Sequence, residues 1–210
     1  MLVAEAVAAG WEVEAQFVAP GVAPVAGAGP VRSLAAGVAE RIAATETTTG
    51  VFAVVRTRPL DAAAVLGDAG FVVVADGLAD PGNLGTILRS AEAAGVDAVV
   101  LTPGSVDVLN PKVVRASAGA LFHVPVVVAD VDDVRAAGLR LVGTSSHHGT
   151  AHTAADWTGR VAIVLGNEAH GLPADVPVDE WVRIEHRGRA ESLNVAMAAT
   201  ILCFEAARAR

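Results

Sequence analysis

The chain has one cysteine, Cys203, and one lysine, Lys112, in 210 residues. A lone thiol cannot close an internal disulfide, which excludes a secreted cross-linked framework and a cysteine-based zinc site. A reducing cytoplasm is the compartment that fits. No stretch stays free of Gly, Pro and charge long enough to cross a bilayer. The opening MLVAEAVAAGWEVE carries acids where a signal peptide carries a basic region. Positive charge is scarce too: 15 Lys and Arg against 23 Asp and Glu give a formal net charge of -8. That balance excludes a generally basic nucleic-acid coat, because phosphate contacts are carried mainly by Lys and Arg. Any contact with nucleic acid must come from a local patch. What the chain does have is apolar material, 53% of its residues, enough for a real core. Its richness in Ala, Val, Gly and Arg beside a single lysine reads as genomic base composition rather than function.

Apolar runs alternate with amphipathic stretches, the pattern of an α/β fold whose strands are buried on both faces. In the first part, Trp11 to Ala19 and Val51 to Arg56 read as strands, Pro20 to Pro30 as a loop, and Val31 to Ala44 as one or two short helices. Leu2 to Ala9 reads as the end of a helix stopped by Gly10; a helix that short is marginal alone, so residues are expected upstream. The segment Thr57 to Gly70 is the expected domain boundary. Beyond it, strands are predicted at Phe71 to Ala75, Asp97 to Leu101, Phe122 to Val128, Leu139 to Thr144, Arg160 to Leu165 and Trp181 to Ile184. Helices are predicted from Asn83 to Ala94, from Asn110 and Pro111 to Ala118, from Val131 to Ala137, and from near Ser192 to about Arg208.

Three places join glycine, polar side chains and a strand end, where ligands bind in open α/β sheets. In DPGNLGTILRSAEAAG, Asn83 is read as the helix cap, Gly85 allows close backbone approach, and Arg89 lies inside the helix, where a cleft-facing arginine needs an anionic partner. In VAIVLGNEAHGLP, a strand runs into Gly166, and Asn167 and Glu168 stand in a loop that offers its backbone groups to a ligand. In RGRAESLNVAMAATILCFEAAR, Ser192 or Asn194 caps a helix apolar on most sides, and Glu191, Ser192 and Asn194 cluster at its start. His170 has no partner at metal-ligand spacing, and His147, His148 and His152 lack regularly spaced Cys, Asp or Glu, so no metal is expected.

Four runs in order, DGLADPGNLGTILRSAEAAGVDAVVL, NPKVVRASAGALFHVPV, IVLGNEAHGLP and ESLNVAMAATI, resemble the successive motifs of the SpoU/TrmH family of RNA ribose 2'-O-methyltransferases, within the SPOUT superfamily. The resemblance covers residues 71–210; residues 1–56 resemble, more loosely, the last part of the small substrate-binding domain that precedes the catalytic domain in many members. It implies a partial RNA substrate-binding α/β domain over 1–60 and a parallel-sheet methyltransferase domain over 68–210 with a C-terminal trefoil knot. The implied cofactor is S-adenosyl-L-methionine, with Thr144, Gly166, Ile184, Ser192, Leu193 and Asn194 around it. Arg89, Asn83, Glu168, Ser192 and Asn194 match catalytic positions, and Arg89, Lys112, Arg115 and Ser117 would form the surface toward RNA. The role of Arg89 stays open between proton acceptor and electrostatic anchor. A guanidinium is effectively never deprotonated, which favours the anchor. The implied partners are RNA, ribosomal in preference to transfer RNA, and a second copy of the chain paired through the last helix. Two further readings remain open: a homologue that binds RNA without catalysing, and a Rossmann-type nucleotide enzyme, which lacks its glycine fingerprint here.

Overall fold

The computed structural model describes residues 2–43 and 48–210. The chain divides into two compact units, Met1–Pro59 and Leu60–Arg210.

The first unit contains α1 (Leu2–Ala8), β1 (Val13–Val18), β2 (Val31–Ser33), α2 (Val38–Ile42) and β3 (Val51–Val55). β1 is the central strand, parallel to β2 and antiparallel to β3. Gly10, at φ +69°, ends α1, and the N–H groups of Gly10 and Trp11 return to the Val7 and Ala6 carbonyls. A small core of Val3, Val13, Val18, Ala28 and Val51 closes the unit. The Gln16 amide is buried and satisfied at both ends: its Nε2 donates to the Val25 carbonyl and its Oε1 accepts from the Val25 N–H, each at 2.8 Å. The helix expected from Val31 is corrected: Val31 to Ser33 pair with Gln16 to Val18 as a strand, and helix begins only at Val38. The open edge of β1 offered ladder hydrogen bonds that the β-branched Val31 takes readily. Ala44, the expected end of that helix, lies outside the described residues.

The second unit runs α3 (Ala62–Asp68), β4 (Phe71–Ala75), α4 (Pro81–Ala93), β5 (Ala98–Leu101), α5 (Pro111–Ala116), β6 (Val126–Val128), α6 (Val131–Ala136), β7 (Arg140–Thr144), β8 (Thr150–Ala151), β9 (Val161–Leu165), β10 (Glu180–Arg183) and α7 (Val195–Ala209). Seven strands form one sheet in the order β6-β5-β4-β9-β7-β10-β8, with every neighbouring pair parallel. Every residue of β4 and β9 is buried, which is why the sequence shows continuous apolar runs there rather than alternation. The pleat sends Phe71 and Val73 into a core under α4 and α7, and Val72 and Val74 into a second core under α3 and α6.

The division after Pro59 falls inside the expected boundary segment, which also holds α3, capped by Asp61, whose side chain accepts from the Ala63 N–H at 3.0 Å. Two expectations need correction here. The strand expected from Phe122 starts at Val126, because Ala120–Phe122 form a 3-10 turn and Pro125 has no N–H for a ladder. The cap of α4 is Asp80, which accepts from the Asn83 N–H at 2.8 Å, so the Asn83 side chain is released from capping.

Candidate functional site

The C-terminal ends of β7, β9 and β10 open beside the start of α7, and the loops that follow these strands enclose a cavity of about 640 Å³. Its polar wall is built by hydrogen bonds between residues far apart in the chain. Asn194 caps α7: its Oδ1 accepts from the N–H groups of Ala196 and Met197 at 2.9 and 3.3 Å. Its Nδ2 donates to Asn83 Oδ1 at 2.9 Å. Asn83 Nδ2 in turn donates to Glu168 Oε1 at 3.1 Å, and the Glu168 carboxylate also accepts from the backbone N–H groups of Asp80, at 2.8 Å, and Ala79, at 3.1 Å. Partial burial works to raise the Glu168 carboxyl, but the Asn83 amide and these backbone donors outweigh it and hold the group below the usual glutamate range. Three side chains from three separate motifs thus form one chain of hydrogen bonds, with Glu168 as its anionic end.

The glycine of the second motif serves the loop itself. A Cβ on Gly166 would stand 2.1 Å from the backbone of Gly171 and Leu172, because the loop returns directly over it. Asn167 fastens that return: its N–H and carbonyl pair with Gly171, and its Nδ2 donates to the Gly77 carbonyl at 2.7 Å. Gly85 likewise faces protein rather than ligand, since a Cβ there would lie 2.3 Å from Ala116 Cβ at the end of α5.

Thr144, Gly166, Ile184, Ser192, Leu193 and Asn194 all line the cavity, as do Asn83 and Glu168. The Thr144 hydroxyl donates to the Val164 carbonyl at 3.0 Å, and Ser192 is exposed without a hydrogen bond among the described residues. Arg89 is exposed on α4 and is not part of the lining. Arg115 is exposed on α5, and Lys112 reaches Asp80 at 3.7 Å, an ion pair in open solvent. Ser117 departs from expectation: it is fully buried and its hydroxyl donates to the Val114 carbonyl at 2.8 Å, so it presents nothing to a ligand. Its place in the turn after α5, packed on Gly85, uses the hydroxyl to finish the helix rather than to face outward.

Four histidines line the cavity: His147, His148, His170 and His186. His186 carried no signal in the sequence, because the motif region begins one residue after it. His148 stacks at a tilt on Trp181, with ring centroids 4.8 Å apart, and its Nδ1 lies 2.9 Å from Ser145 Oγ.

The family described as the SpoU rRNA Methylase family matches residues 70–204. A Bacillus subtilis (strain 168) protein, 23S rRNA (guanosine(2553)-2'-O)-methyltransferase RlmP, is 40% identical over 139 residues, 63% of this chain; the chain spans 56% of that protein's length. An AdoMet-bound rRNA methyltransferase from Sinorhizobium meliloti superposes with a TM-score of 0.86 at 31% identity, covering 99% of this chain and 84% of the other. The SpoU methyltransferase AviRb from Streptomyces viridochromogenes, in complex with AdoMet, gives 0.84 at 30% identity, covering 98% and 86%.

Proposed function

Because the chain belongs to the SpoU rRNA methylase family, we propose that it transfers a methyl group from S-adenosyl-L-methionine to a ribose 2'-hydroxyl of ribosomal RNA in the cytoplasm. The observation that carries this reading is the Asn194–Asn83–Glu168 chain on one wall of the cavity of about 640 Å³. The cavity suits a cofactor bearing a sulfonium and an ammonium group: Glu168 and Glu191 line it, while no Lys or Arg does among the described residues. Thr144, Gly166, Ile184, Ser192, Leu193 and Asn194 would hold it, Ile184 and Leu193 giving the apolar wall that an adenine needs. When bound, the cofactor supplies an electrophilic methyl group that leaves a neutral thioether.

The protein's part is to place and polarise the ribose. Asn83 is fixed at both ends of its amide, so the wall that meets the substrate is held before binding. Ser192 has a free hydroxyl to orient the sugar. Arg89 grips the adjoining phosphate and stabilises charge on the 2'-oxygen, a task for a planar fork that stays protonated.

Arg89 reaches a cavity by pairing of two copies. Met197, Ile201 and Phe204, 61%, 37% and 49% exposed, form one stripe of α7, and α4 packs beside α7 through Ser90 and Thr200, whose hydroxyls are 2.6 Å apart. A homodimer through this stripe brings Arg89, Lys112 and Arg115 of one protomer toward the partner's cavity. The small unit adds RNA contacts through the exposed strand β2. A trefoil knot formed by the segments after β7 accords with β9 lying between β4 and β7.

The test has three parts. Calorimetry should show one cofactor per protomer without added metal. 2'-O-methyl sites mapped in total RNA with and without the gene should differ at a ribosomal nucleotide, whereas a difference in transfer RNA alone would move the substrate. Arg89→Ala should bind cofactor normally yet lose methyl transfer about a hundredfold or more. Mixing it with a cofactor-blind variant should restore part of the activity.

A further inference from the structure

The reaction needs a place for the 2'-hydroxyl proton, and neither a guanidinium nor an amide can take it. A glutamate held below its usual range by three hydrogen bonds is a weak base as well. The histidines of the cavity differ in what their hydrogen bonds leave free. His186 Nδ1 lies 3.1 Å from the Ala190 carbonyl oxygen. A carbonyl only accepts, so Nδ1 carries the proton and Nε2 of the neutral ring is left as an acceptor. His148 is fixed the other way. Ser145 Oγ already accepts from the N–H groups of His147 and His148, at 3.1 and 3.3 Å, so its own proton goes to His148 Nδ1 and leaves Nε2 as a donor. His147 and His170 have no hydrogen bond among the described residues to fix a tautomer. His186 alone on this cavity combines a pinned ring with a free basic nitrogen.

We propose that His186 is the general base, its Nε2 accepting the proton of the RNA 2'-hydroxyl; this rests on the methyltransferase reading above. The O–H bond breaks with its electron pair left on oxygen, and the O–CH3 bond forms as the S–CH3 bond breaks with its pair going to sulfur. The proton ends on Nε2, and the resulting imidazolium returns it to water. His186 is half-buried and stands in a segment with Glu185, Arg187, Arg189 and Glu191. The loops across the cavity contribute His147, His148, Glu168 and His170. The two arginines beside it would keep RNA phosphate close while the ring is neutral.

The experiment compares wild type, His186→Ala and His186→Asn in single turnover over a pH series, alongside nitrogen NMR of the imidazoles in the cofactor-free protein. Asn keeps an N–H for the Ala190 carbonyl but has no basic nitrogen, so it separates holding the loop from taking the proton. The wild-type rate should rise with pH through one inflection. Both variants should lose that inflection and about a hundredfold in rate, with cofactor binding retained and added imidazole restoring part of the His186→Ala rate. NMR should show the proton on Nδ1 of His186. The proposal is overturned by a proton on Nε2 in the neutral ring, or by a His186→Asn rate and profile equal to wild type. A wild type that transfers no methyl group to any RNA would instead overturn the methyltransferase reading, and this inference with it.

Discussion

The two walls of the cavity are made of the same kind of residue in opposite conditions. On one, Asn194, Asn83 and Glu168 bond to one another and to backbone, so their geometry is set before anything binds. On the other, Ser192 and the rings of His147 and His170 have no hydrogen bond among the described residues, and His148 and His186 are held by one ring nitrogen each. Polar groups satisfied internally hold a shape; polar groups left open to a cavity are available to what enters it. The first wall is therefore read as framework and the second as contact surface, and substitutions should separate them.

The largest effect is expected where the loop folds over itself. Gly166→Ala places a methyl 2.1 Å from the Gly171 and Leu172 backbone, which cannot swing aside as a side chain could. Overpacking of this kind costs about 1–3 kcal/mol, and denaturant melts with calorimetry should show that loss together with abolished cofactor binding. Next comes Asn83→Ala, which cuts the framework in the middle. Methyl transfer should fall by about a hundredfold while stability drops by about 1 kcal/mol, as for a lost hydrogen-bond pair.

Glu168→Gln sharpens the same wall through pH. The folded carboxyl sits below its usual value, so its stabilisation is present above the ordinary glutamate range, near 4.5, and is lost as pH falls through the lower folded value. The glutamine variant should melt lower than wild type at neutral pH, with the gap closing in acid. The smallest change belongs to the open wall: His147→Ala should leave the stability read from denaturant melts within about 0.5 kcal/mol of wild type. A large loss there would make that wall framework too.

The parallel sheet was legible because β4, β5 and β9 are buried on both faces and read as unbroken apolar runs. Where burial is one-sided or a strand is short, the pattern fades: β2 is exposed at all three residues, and pairing rather than sequence made it a strand. At the site, Asn83 shows how a correct residue acquires a wrong role. Both Asp80 and Asn83 are good caps, and only the fold shows that Asp80 caps while the Asn83 amide crosses to Glu168 and Asn194. Ser117 was misplaced for the opposite reason, since the helical pattern cannot say that a polar residue near a helix end turns inward. His186 escaped notice because a lone histidine has no spacing to recognise; its meaning comes from one carbonyl four residues on.

The strand order also governs how the molecule can be made. β9 completes the middle of the sheet, with Phe71 pairing Val161 on one side and Arg140 pairing Val161 on the other. Until Val161–Leu165 has been synthesised, β4 lacks its β9 partner, and once Arg140–Thr144 is made β7 lacks it too, so the growing chain carries two apolar, sticky borders while the segment from β7 to β9 is translated. Pairings so distant in sequence are slow to close. Refolding should therefore end with a late step that seats β9, and chains ending before Val161 should aggregate rather than form a smaller sheet.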